Sequence, residues 1–398
     1  MLAGFAKVDI TPPAGTYMTG YIARTGPAEG VHDPLHCRAL VLDDGQSRAA
    51  LIVCDTLGFG LEYTRQAKRA IAQATGIPAD NIMLAGTHTH SGPATVFLHG
   101  CGDLAIDWLA KLPATLVEAV QAAQRGLAPV ELGIGKVHVP GVAVNRRHPG
   151  GPLDEELSMV WLRGHDGDIK GALLHYACHA VVLDADNRLF SADFPGAACA
   201  RFEELTGAPC LFLQGPCGDI NPARRQSFQA VAETGHELAE AAARLSRDRA
   251  AVKPLGASRL EVESRRLCLP LGPLPSFSDL IAYREEQLAG VGEVEEQFRE
   301  ARSRVNKAMQ AWVECTIASY CSGLLCDEVK VELQCLELGD LLLLAVPGEL
   351  FVSFGLAAKR EAAAAGRHAL VLAYASGDIG YIPDAGAYER GGYEVETA

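Results

Sequence analysis

The distribution of apolar and polar positions predicts strands and helices that follow one another along the chain. Nine short apolar runs are typical of buried strands: residues 39–43, 49–55, 81–85, 159–163, 172–177, 210–214, 329–336, 341–346 and 369–373. Seven longer stretches favour helices: residues 63–74, 104–125, 196–205, 228–245, 280–288, 294–314 and 350–364. This order predicts a layered α/β fold.

One internal boundary interrupts the pattern. Residues 254–276 begin as a β-like run and continue into a Pro- and Gly-rich loop. A helical insertion at about residues 270–326 follows, after which strands resume. Within it, residues 293–304 are rich in Glu and Arg and are interpreted as a solvated helix face. We therefore predict a single catalytic domain over residues 1–398 with a helical excursion, rather than separate modules.

Composition restricts the class of protein. Hydrophobic residues make up 48% and charged residues 21% of the chain, which is typical of a globular enzyme. The formal net charge of -14 and the absence of Lys- or Arg-rich runs exclude a nucleic-acid partner. The longest apolar runs, such as residues 341–346, are too short to span a bilayer, so no stable membrane insertion is expected. The first residues lack a charged-then-apolar leader, which predicts a cytoplasmic location.

The cysteines give a further indication of the environment. The chain has twelve, without a CxxC pair or zinc-ribbon spacing, and several lie inside apolar strand-like runs. We interpret most of them as small buried hydrophobic residues in a reducing compartment. Their even number leaves disulfide pairing as an alternative.

The segment with the clearest chemical content is residues 86–93, Gly-Thr-His-Thr-His-Ser-Gly-Pro, which follows the apolar run 81–85. It places His88 and His90 where a buried strand becomes a loop. Imidazole is the commonest metal ligand and the usual acid or base near neutral pH. A loop after the strand can turn the two rings apart, so that one binds a metal while the other faces a substrate. A pair of hydrogen-bonded loop histidines explains the same motif.

Other candidate residues occupy similar positions, and each has a structural alternative. His179 ends the apolar strand 172–177, although a lone histidine there is usually a hydrogen-bonded core residue. Glu349 lies between a strand and a helix, where capping of the helix dipole explains it as well. Residues 213–222 form a Gly- and Pro-rich turn that could bind an anion through backbone N–H groups, or be a plain turn.

Taken in order, these motifs resemble the catalytic domain of the neutral, non-lysosomal ceramidases. The resemblance rests on Thr-His-Thr-His-Ser-Gly-Pro, the strand-ending His, Gly-Asp-Ile-Asn-Pro, Pro-Gly-Glu and a pair of C-terminal tyrosines. Asp-Ile-Thr-Pro-Pro at residues 9–13 and Met-Thr-Gly-Tyr at residues 18–21 extend it towards the N-terminus. It runs from about residue 4 to the last residue and implies layered, mixed β-sheets with flanking helices.

The resemblance also implies a metal site. Carried over residue by residue, it places a Zn²⁺ cofactor between His88, His179, Glu349 and Tyr381. Imidazole and carboxylate are ordinary zinc ligands, and a catalytic site keeps one position open for water. The phenolate ligand is implied by the family alone.

Four catalytic residues follow from the same resemblance: His90, Arg146, Tyr381 and Tyr393. His90 corresponds to a histidine that protonates the leaving amine, and Arg146 to an arginine that contacts the reacting group. Tyr393 lies twelve residues after Tyr381, as the family's second active-site tyrosine does. The implied activity is zinc-dependent hydrolysis of an N-acyl amide, ceramide-like or shorter, by attack of a zinc-bound water.

Two departures qualify this activity. Asn221 stands where the family carries a serine that is sometimes considered a nucleophile, and a carboxamide cannot take that role. The family's immunoglobulin-like domain and secretion signal also have no counterpart in the sequence, so ceramide itself is less expected than the hydrolytic chemistry. The expected partner remains a small-molecule or lipid-like N-acyl substrate.

Two other functions stay open. One is a zinc-dependent N-deacetylase or esterase that acts on a small polar or carbohydrate substrate at the same site. The other is a binding or scaffold protein that has kept the fold and lost the reaction. An apolar tunnel beside the metal would favour acyl chains, whereas a wide polar cleft would favour sugars or amino acids.

Overall fold

A computed structural model describes residues 1–248, 251–256, 259–289 and 296–396. The strands, numbered β1 to β20 in chain order, are Leu2–Asp9, Gly30–Val31, His36–Asp43, Arg48–Cys54, Ile82–Gly86, Ala128–Pro129, Glu131–His138, Ala143–Asn145, Glu156–Arg163, Ile169–Tyr176, Leu189–Phe190, Cys210–Gln214, Ile220–Pro222, Val252–Pro254, Leu260–Pro270, Glu328–Leu338, Leu341–Ala345, Glu349–Leu350, His368–Leu372 and Tyr381–Ile382. The helices, α1 to α10, are Leu61–Thr75, Ile106–Leu109, Leu112–Arg125, Asp193–Thr206, Phe228–Arg247, Phe277–Ala289, Glu296–Ser322, Val352–Ala364, Ala385–Arg390 and Tyr393–Glu396.

Three larger sheets form the framework of the described chain. The N-terminal sheet has the strand order β5-β4-β3-β1-β6, the central sheet β12-β10-β9-β7-β14, and the C-terminal sheet β15-β16-β17-β19. Each sheet contains one parallel pair, β4 with β5, β10 with β12 and β17 with β19, beside antiparallel neighbours. The sheets are therefore mixed, and with their covering helices they confirm the predicted fold class.

Burial on both faces explains why so many strands are continuous apolar runs. In β4, Leu51 packs into a cluster shared by all three sheets, whereas Ile52 packs against α1 and α3 on the opposite face. In β10, Leu173 joins the shared cluster and Leu174 packs towards α4 and α5. Because neighbouring strand residues point to opposite faces, a sheet covered on both sides needs apolar residues at nearly every position.

The nine expected strands are all present, with ends that differ by a few residues. The expectation of one helix over residues 104–125 is wrong, because α2 ends at Leu109 and α3 begins at Leu112. Pro113 lies in the first turn of α3, where it needs no N–H partner; inside a continuous helix its ring would clash with the carbonyl of Leu109.

The sequence did not indicate β7, because glycines interrupt its apolar pattern. The structure shows why a glycine is needed: a Cβ on Gly133 would lie 2.3 Å from the ring of Trp161 on the neighbouring β9. The ring of Trp161 therefore occupies the space that a side chain at position 133 would need, and the resulting glycine hides the strand pattern in the sequence.

The connection between β15 and β16 contains α6 and α7, and the two strands pair from Leu260 with Leu338 to Pro270 with Glu328. Residues 290–295 lie outside the described residues, as do the side chains of 296–302, so the expected solvated face at 293–304 falls mostly outside them. None of the described helices combines the length and apolar character needed to cross a bilayer. All twelve cysteines are free thiols; six are buried and four are exposed.

Candidate metal centre

Three histidines from two sheets meet at the centre of the molecule. His88 and His90 follow β5 of the N-terminal sheet, and His179 follows β10 of the central sheet. A parallel bridge between Thr89 and Ala180 joins the two loops. One ring nitrogen of each histidine lies within 4.8 Å of the others, and all three side chains are buried. The fold thus brings the ends of β5 and β10 to the same place.

The backbone orients the ring of His88. Its φ of +63° lies in the left-handed region, which turns it away from the direction of β5. Its Nδ1 donates to the carbonyl of Leu57 at 2.8 Å, and its ring stacks on Tyr374 with centroids 3.7 Å apart. Because a carbonyl can only accept, Nδ1 carries a proton, and in the neutral ring the lone pair is on Nε2. That lone pair faces the other histidines.

The other two histidines are oriented in the same manner. Nδ1 of His179 donates to the carbonyl of Cys217 at 3.1 Å, and Nδ1 of His90 to that of Gly20 at 3.1 Å. Nε2 of His90 lies 3.2 Å from Nε2 of His88. Burial holds the pKa of His90 and of His179 well below the usual value, so both rings are neutral at neutral pH. Three buried ring nitrogens directed at one another could hold a metal ion.

Glu349 supplies a carboxylate to this group. It lies in β18, and its Oε2 is 3.4 Å from Nε2 of His88. This oxygen is buried and has no hydrogen-bond partner among the described residues. With His88 in its neutral form, protonated at Nδ1, the two facing atoms are both acceptors. An unsatisfied buried carboxylate oxygen beside imidazole nitrogens fits the ligand set of zinc.

Tyr381 is held beside Glu349 by a short parallel pairing of β18 with β20, in which the two residues are partners. Arg146, just after β8, lies beside Tyr381, and its guanidinium carbon is 5.4 Å from the centre of that ring. The rings of Tyr381 and Tyr393 have centroids 5.7 Å apart. Burial raises the pKa of the Tyr381 hydroxyl, and the charge of Arg146 opposes this shift. The structure therefore assembles all seven residues implied by the resemblance.

Glu394 is a residue of this site that the sequence analysis missed. Its side chain is 6% exposed, and its Oε1 accepts from Nε of Arg146 at 2.8 Å. It also pairs with Arg147, whose guanidinium donates to the carbonyl of Gly391. The adjacent arginines at 146 and 147 were a signal that a buried counter-charge was needed. Through these two ion pairs Glu394 connects α10, which also contains Tyr393, to Arg146 and Arg147.

Asp378 was also missed. Burial and the nearby charge of Glu349 raise its pKa to about 6. Its Oδ1 accepts from the N–H of Gly380 at 3.0 Å. A Cβ on Gly58 would lie 2.8 Å from its Oδ2, so the chain passes close to this carboxyl. The motif Ser-Gly-Asp at residues 376–378 was visible in the sequence, but nothing local indicated that it would face Glu349.

The turn at residues 213–222 has a structural role in the described chain. Asp219 accepts from the N–H of Val352 at 2.8 Å and from the side chain of Asn145 at 3.0 Å. Its carbonyl accepts from the N–H of Arg146 at 2.8 Å. A Cβ on Gly218 would lie 2.4 Å from the carbonyl oxygen of Glu349. The turn therefore positions the segments that carry Arg146 and Glu349.

Comparison with known proteins agrees with this geometry. The family model for the neutral/alkaline non-lysosomal ceramidase N-terminal region matches residues 1–211. The neutral ceramidase of Pseudomonas aeruginosa is 26% identical over 244 residues, 55% of this chain and 36% of that protein. That of Drosophila melanogaster is 28% identical over 256 residues, with the same coverage of 55% and 36%. The matched region is thus little more than a third of these relatives' length.

Solved structures show the same fold. The crystal structure of neutral ceramidase from Pseudomonas aeruginosa gives a TM-score of 0.76 at 21% identity, over 100% of this chain and 70% of that one. A structure described as a ceramidase complexed with C2 gives 0.75 at 20% identity, over 100% and 71%. The resemblance inferred from the motifs is confirmed. With its family model matched over more than half of its residues, the chain belongs to the neutral/alkaline non-lysosomal ceramidase family.

Proposed function

We propose that the protein is a zinc-dependent hydrolase that cleaves the amide bond of an N-acyl substrate. The observation that supports this most directly is the buried group of three histidines, each with one ring nitrogen directed at the others, beside an unsatisfied Glu349 oxygen. Membership of the ceramidase family supports amide hydrolysis as the type of reaction.

His88, His179, Glu349 and Tyr381 are the residues that would hold the ion. Their two nitrogen and two oxygen donors suit zinc, and the neutral state of His179 suits ligation because a protonated ring has no lone pair to offer. When bound, zinc supplies a water with a pKa near neutrality and polarises a carbonyl oxygen.

The remaining side chains then have distinct tasks. Arg146 and Tyr393 would hydrogen-bond the oxygen on which negative charge develops, a contribution of roughly 3 kcal/mol for each well-placed donor. His90, neutral because it is buried, would accept a proton at Nε2 and deliver it to the departing nitrogen. Glu394 keeps Arg146 in place through their 2.8 Å contact.

The substrate class we propose is an N-acyl amine, either lipid-like, as in ceramide, or shorter. Relatives named neutral ceramidase support an acyl amide, but the matched region covers only 36% of the first two of them. The acyl-chain length is therefore left to the experiment below.

A panel of N-acyl substrates from acetyl to long chain tests this proposal, with N-acetylated sugars and ester analogues included to separate the deacetylase and esterase alternatives. Each is assayed with the zinc-loaded protein, after removal of zinc with a chelator, and after zinc is restored. We expect amide hydrolysis that is lost and regained with the metal. Hydrolysis that continues unchanged in the fully zinc-free protein would refute the mechanism.

A further inference from the structure

A polar cleft lies between helix α1 and the strands β15 and β16. Its volume is about 370 Å³, within the range of small-molecule sites. None of the residues assigned above to the metal centre lines it. Its walls consist of Leu61, Thr64, Arg65, Lys68, Arg69, Ala79, Asp80, Arg266, Lys330, Val331, Glu332 and Ser376.

The cleft concentrates positive charge in a chain of net charge -14. Arg65, Lys68 and Arg69 are three and four residues apart and so share one face of α1. Arg266 of β15 is paired with Glu332 of β16, and Lys330 is two residues from Glu332 along the same strand. Because alternate strand residues point to the same side of a sheet, Arg266 and Lys330 share one face of this strand pair. Five cationic side chains thus line the cleft, against the carboxylates of Asp80 and Glu332.

One of the five cations, Lys68, already has an ion-pair partner within the cleft. Lys68 is 3% exposed, and its Nζ lies 2.7 Å from Oε2 of Glu332. The hydroxyl of Ser264 donates to the other Glu332 oxygen at 2.6 Å. Both Glu332 oxygens are thus hydrogen-bonded, and its charge is shared between Lys68 and the more distant Arg266.

The rim, by contrast, has donors without acceptors. Arg65 pairs with Glu62, and Lys330 lies 3.7 Å from Glu328. Arg69 and Arg266 form no ion pair with any residue that the structure describes. Thr64 is 1% exposed, and its hydroxyl has no hydrogen-bond partner among the described residues. Two guanidinium groups without an ion pair and a buried hydroxyl without a hydrogen bond therefore line the cleft among the described residues.

We propose that this cleft binds a phosphate group, carried by a small phosphorylated molecule or by a phospholipid. Guanidinium groups match the oxygens of phosphate with two parallel hydrogen bonds, which favours phosphate over a simple halide. Thr64, which also lines the cleft, adds the hydroxyl that has no partner as a neutral donor. The proposal is independent of the hydrolytic reaction, because no residue of the metal centre takes part.

Titration calorimetry with inorganic phosphate and with pyrophosphate at low ionic strength tests the site directly. The test variant is Arg69→Gln/Arg266→Gln. The control is Arg125→Gln/Arg360→Gln, which removes the same charge from two exposed arginines that have no ion pair with a described residue. We expect the test variant to weaken binding at least about tenfold and the control to leave it unchanged.

A second arm separates the two sources of phosphate. Sedimentation with vesicles of phosphatidylcholine, with and without phosphatidic acid, shows whether a membrane-borne phosphate is bound. Binding only to vesicles that contain phosphatidic acid, lost in the test variant alone, supports a lipid source; binding of pyrophosphate in solution supports a soluble one. The proposal is overturned if neither arm shows binding, or if test and control variants bind equally. Neither measurement depends on turnover.

Discussion

At the scale of single residues, the decisive feature of the metal centre is which nitrogen of each histidine carries the proton. Backbone carbonyls at Leu57, Cys217 and Gly20 each accept from an Nδ1. These hydrogen bonds leave all three Nε2 atoms directed inwards. The motif at residues 87–90 is buried, since His88 is 1% exposed and His90 9%, and both rings are hydrogen-bonded to backbone carbonyls.

The roles of His90 and His179 are separated by removing each in turn. We expect His179→Ala to lose both bound zinc and activity, because a ligand is gone. We expect His90→Ala to retain zinc but to lose about 10²- to 10⁴-fold in turnover, the contribution of a positioned acid or base. Metal analysis with kinetics on the same samples measures both effects. His236→Ala, at an exposed position of α5, is the control.

The Nε2 atoms of His90 and His88 are 3.2 Å apart, which is also compatible with both being ligands. Zinc content therefore decides the assignment. Loss of the metal from the His90 variant would make that residue a ligand, and full zinc occupancy in the His179 variant would remove His179 from the site.

Glu394 acts on the reaction through Arg146. We expect Glu394→Gln to lower turnover about tenfold, since a charge-assisted hydrogen bond is weakened and Arg146 becomes free to move. Binding of substrate should change less, because Arg146 is proposed to act on charge that develops during the reaction. Separate measurement of kcat and KM checks this expectation.

The control for this variant is Glu396→Gln, an exposed residue of the same short helix. Equal turnover in the two variants would contradict the positioning role of Glu394. A Tyr393→Phe variant measured alongside gives the contribution of the Tyr393 hydroxyl, which a displacement of α10 would also remove.

At the scale of secondary-structure elements, strand ends decide where the chemistry lies. Short pieces such as β18 and β20 hold Glu349 next to Tyr381 through two paired positions. Because these strands are so short, we expect their placement to depend on the turn at residues 213–222. In that turn Gly218 passes so close to the backbone of Glu349 that a Cβ on it would lie 2.4 Å from the Glu349 carbonyl oxygen.

A Gly218→Ala variant tests this dependence. The added Cβ collides with the backbone that carries Glu349, so we expect a destabilisation of about 1–3 kcal/mol and weaker zinc binding. Gly272→Ala is a matched control, because nothing lies within 4 Å of its Cβ position. Zinc affinity and the free energy of unfolding are measured for both. Unchanged zinc affinity in the Gly218 variant would show that the turn does not position the carboxylate.

The sequence predicted elements and their ends better than the contacts between them. Apolar runs that are buried on both faces identified the strands, and the histidines at the ends of β5 and β10 followed from position alone. The break between α2 and α3 could have been predicted from Pro113, because a proline inside a helix clashes with the preceding turn. The contact of Glu394 with Arg146 joins residues 248 positions apart, and no local pattern encodes such a pairing.

At the scale of the whole molecule, three sheets share one apolar cluster, and polar residues enclosed near it must remain uncharged. His175, in β10, donates from Nε2 to the carbonyl of Val371 at 2.9 Å. Burial, with a further contribution from Lys359, lowers the pKa of His175 to about 4. The folded protein therefore excludes a proton that the unfolded chain would bind.

This predicts a pH dependence of stability. Between the ordinary pKa of 6.5 and about 4, only the unfolded state binds a proton at His175, so the free energy of unfolding falls as the pH is lowered. The slope from one such group is at most about 1.4 kcal/mol per pH unit. We expect His175→Gln to flatten the profile of the zinc-free protein in this range.

Buried carboxyls act in the opposite direction, as for Asp193, whose pKa burial raises to about 6. The relevant quantity is therefore the difference between wild type and variant, measured by urea unfolding from pH 7.5 to 4.5. His236→Gln at an exposed site is the reference. Parallel profiles for wild type and His175→Gln would refute the assignment.

The wide separation of the metal-centre residues along the chain has a consequence for biosynthesis. A ribosome exposes His88 and His90 long before Glu349, Tyr381 and Glu394 have been translated. An unfinished nascent polypeptide therefore displays paired imidazoles without the carboxylate and phenol of the proposed ligand set. Domains fold largely as units during synthesis, so the proposed metal site should form only after Glu394 has been translated.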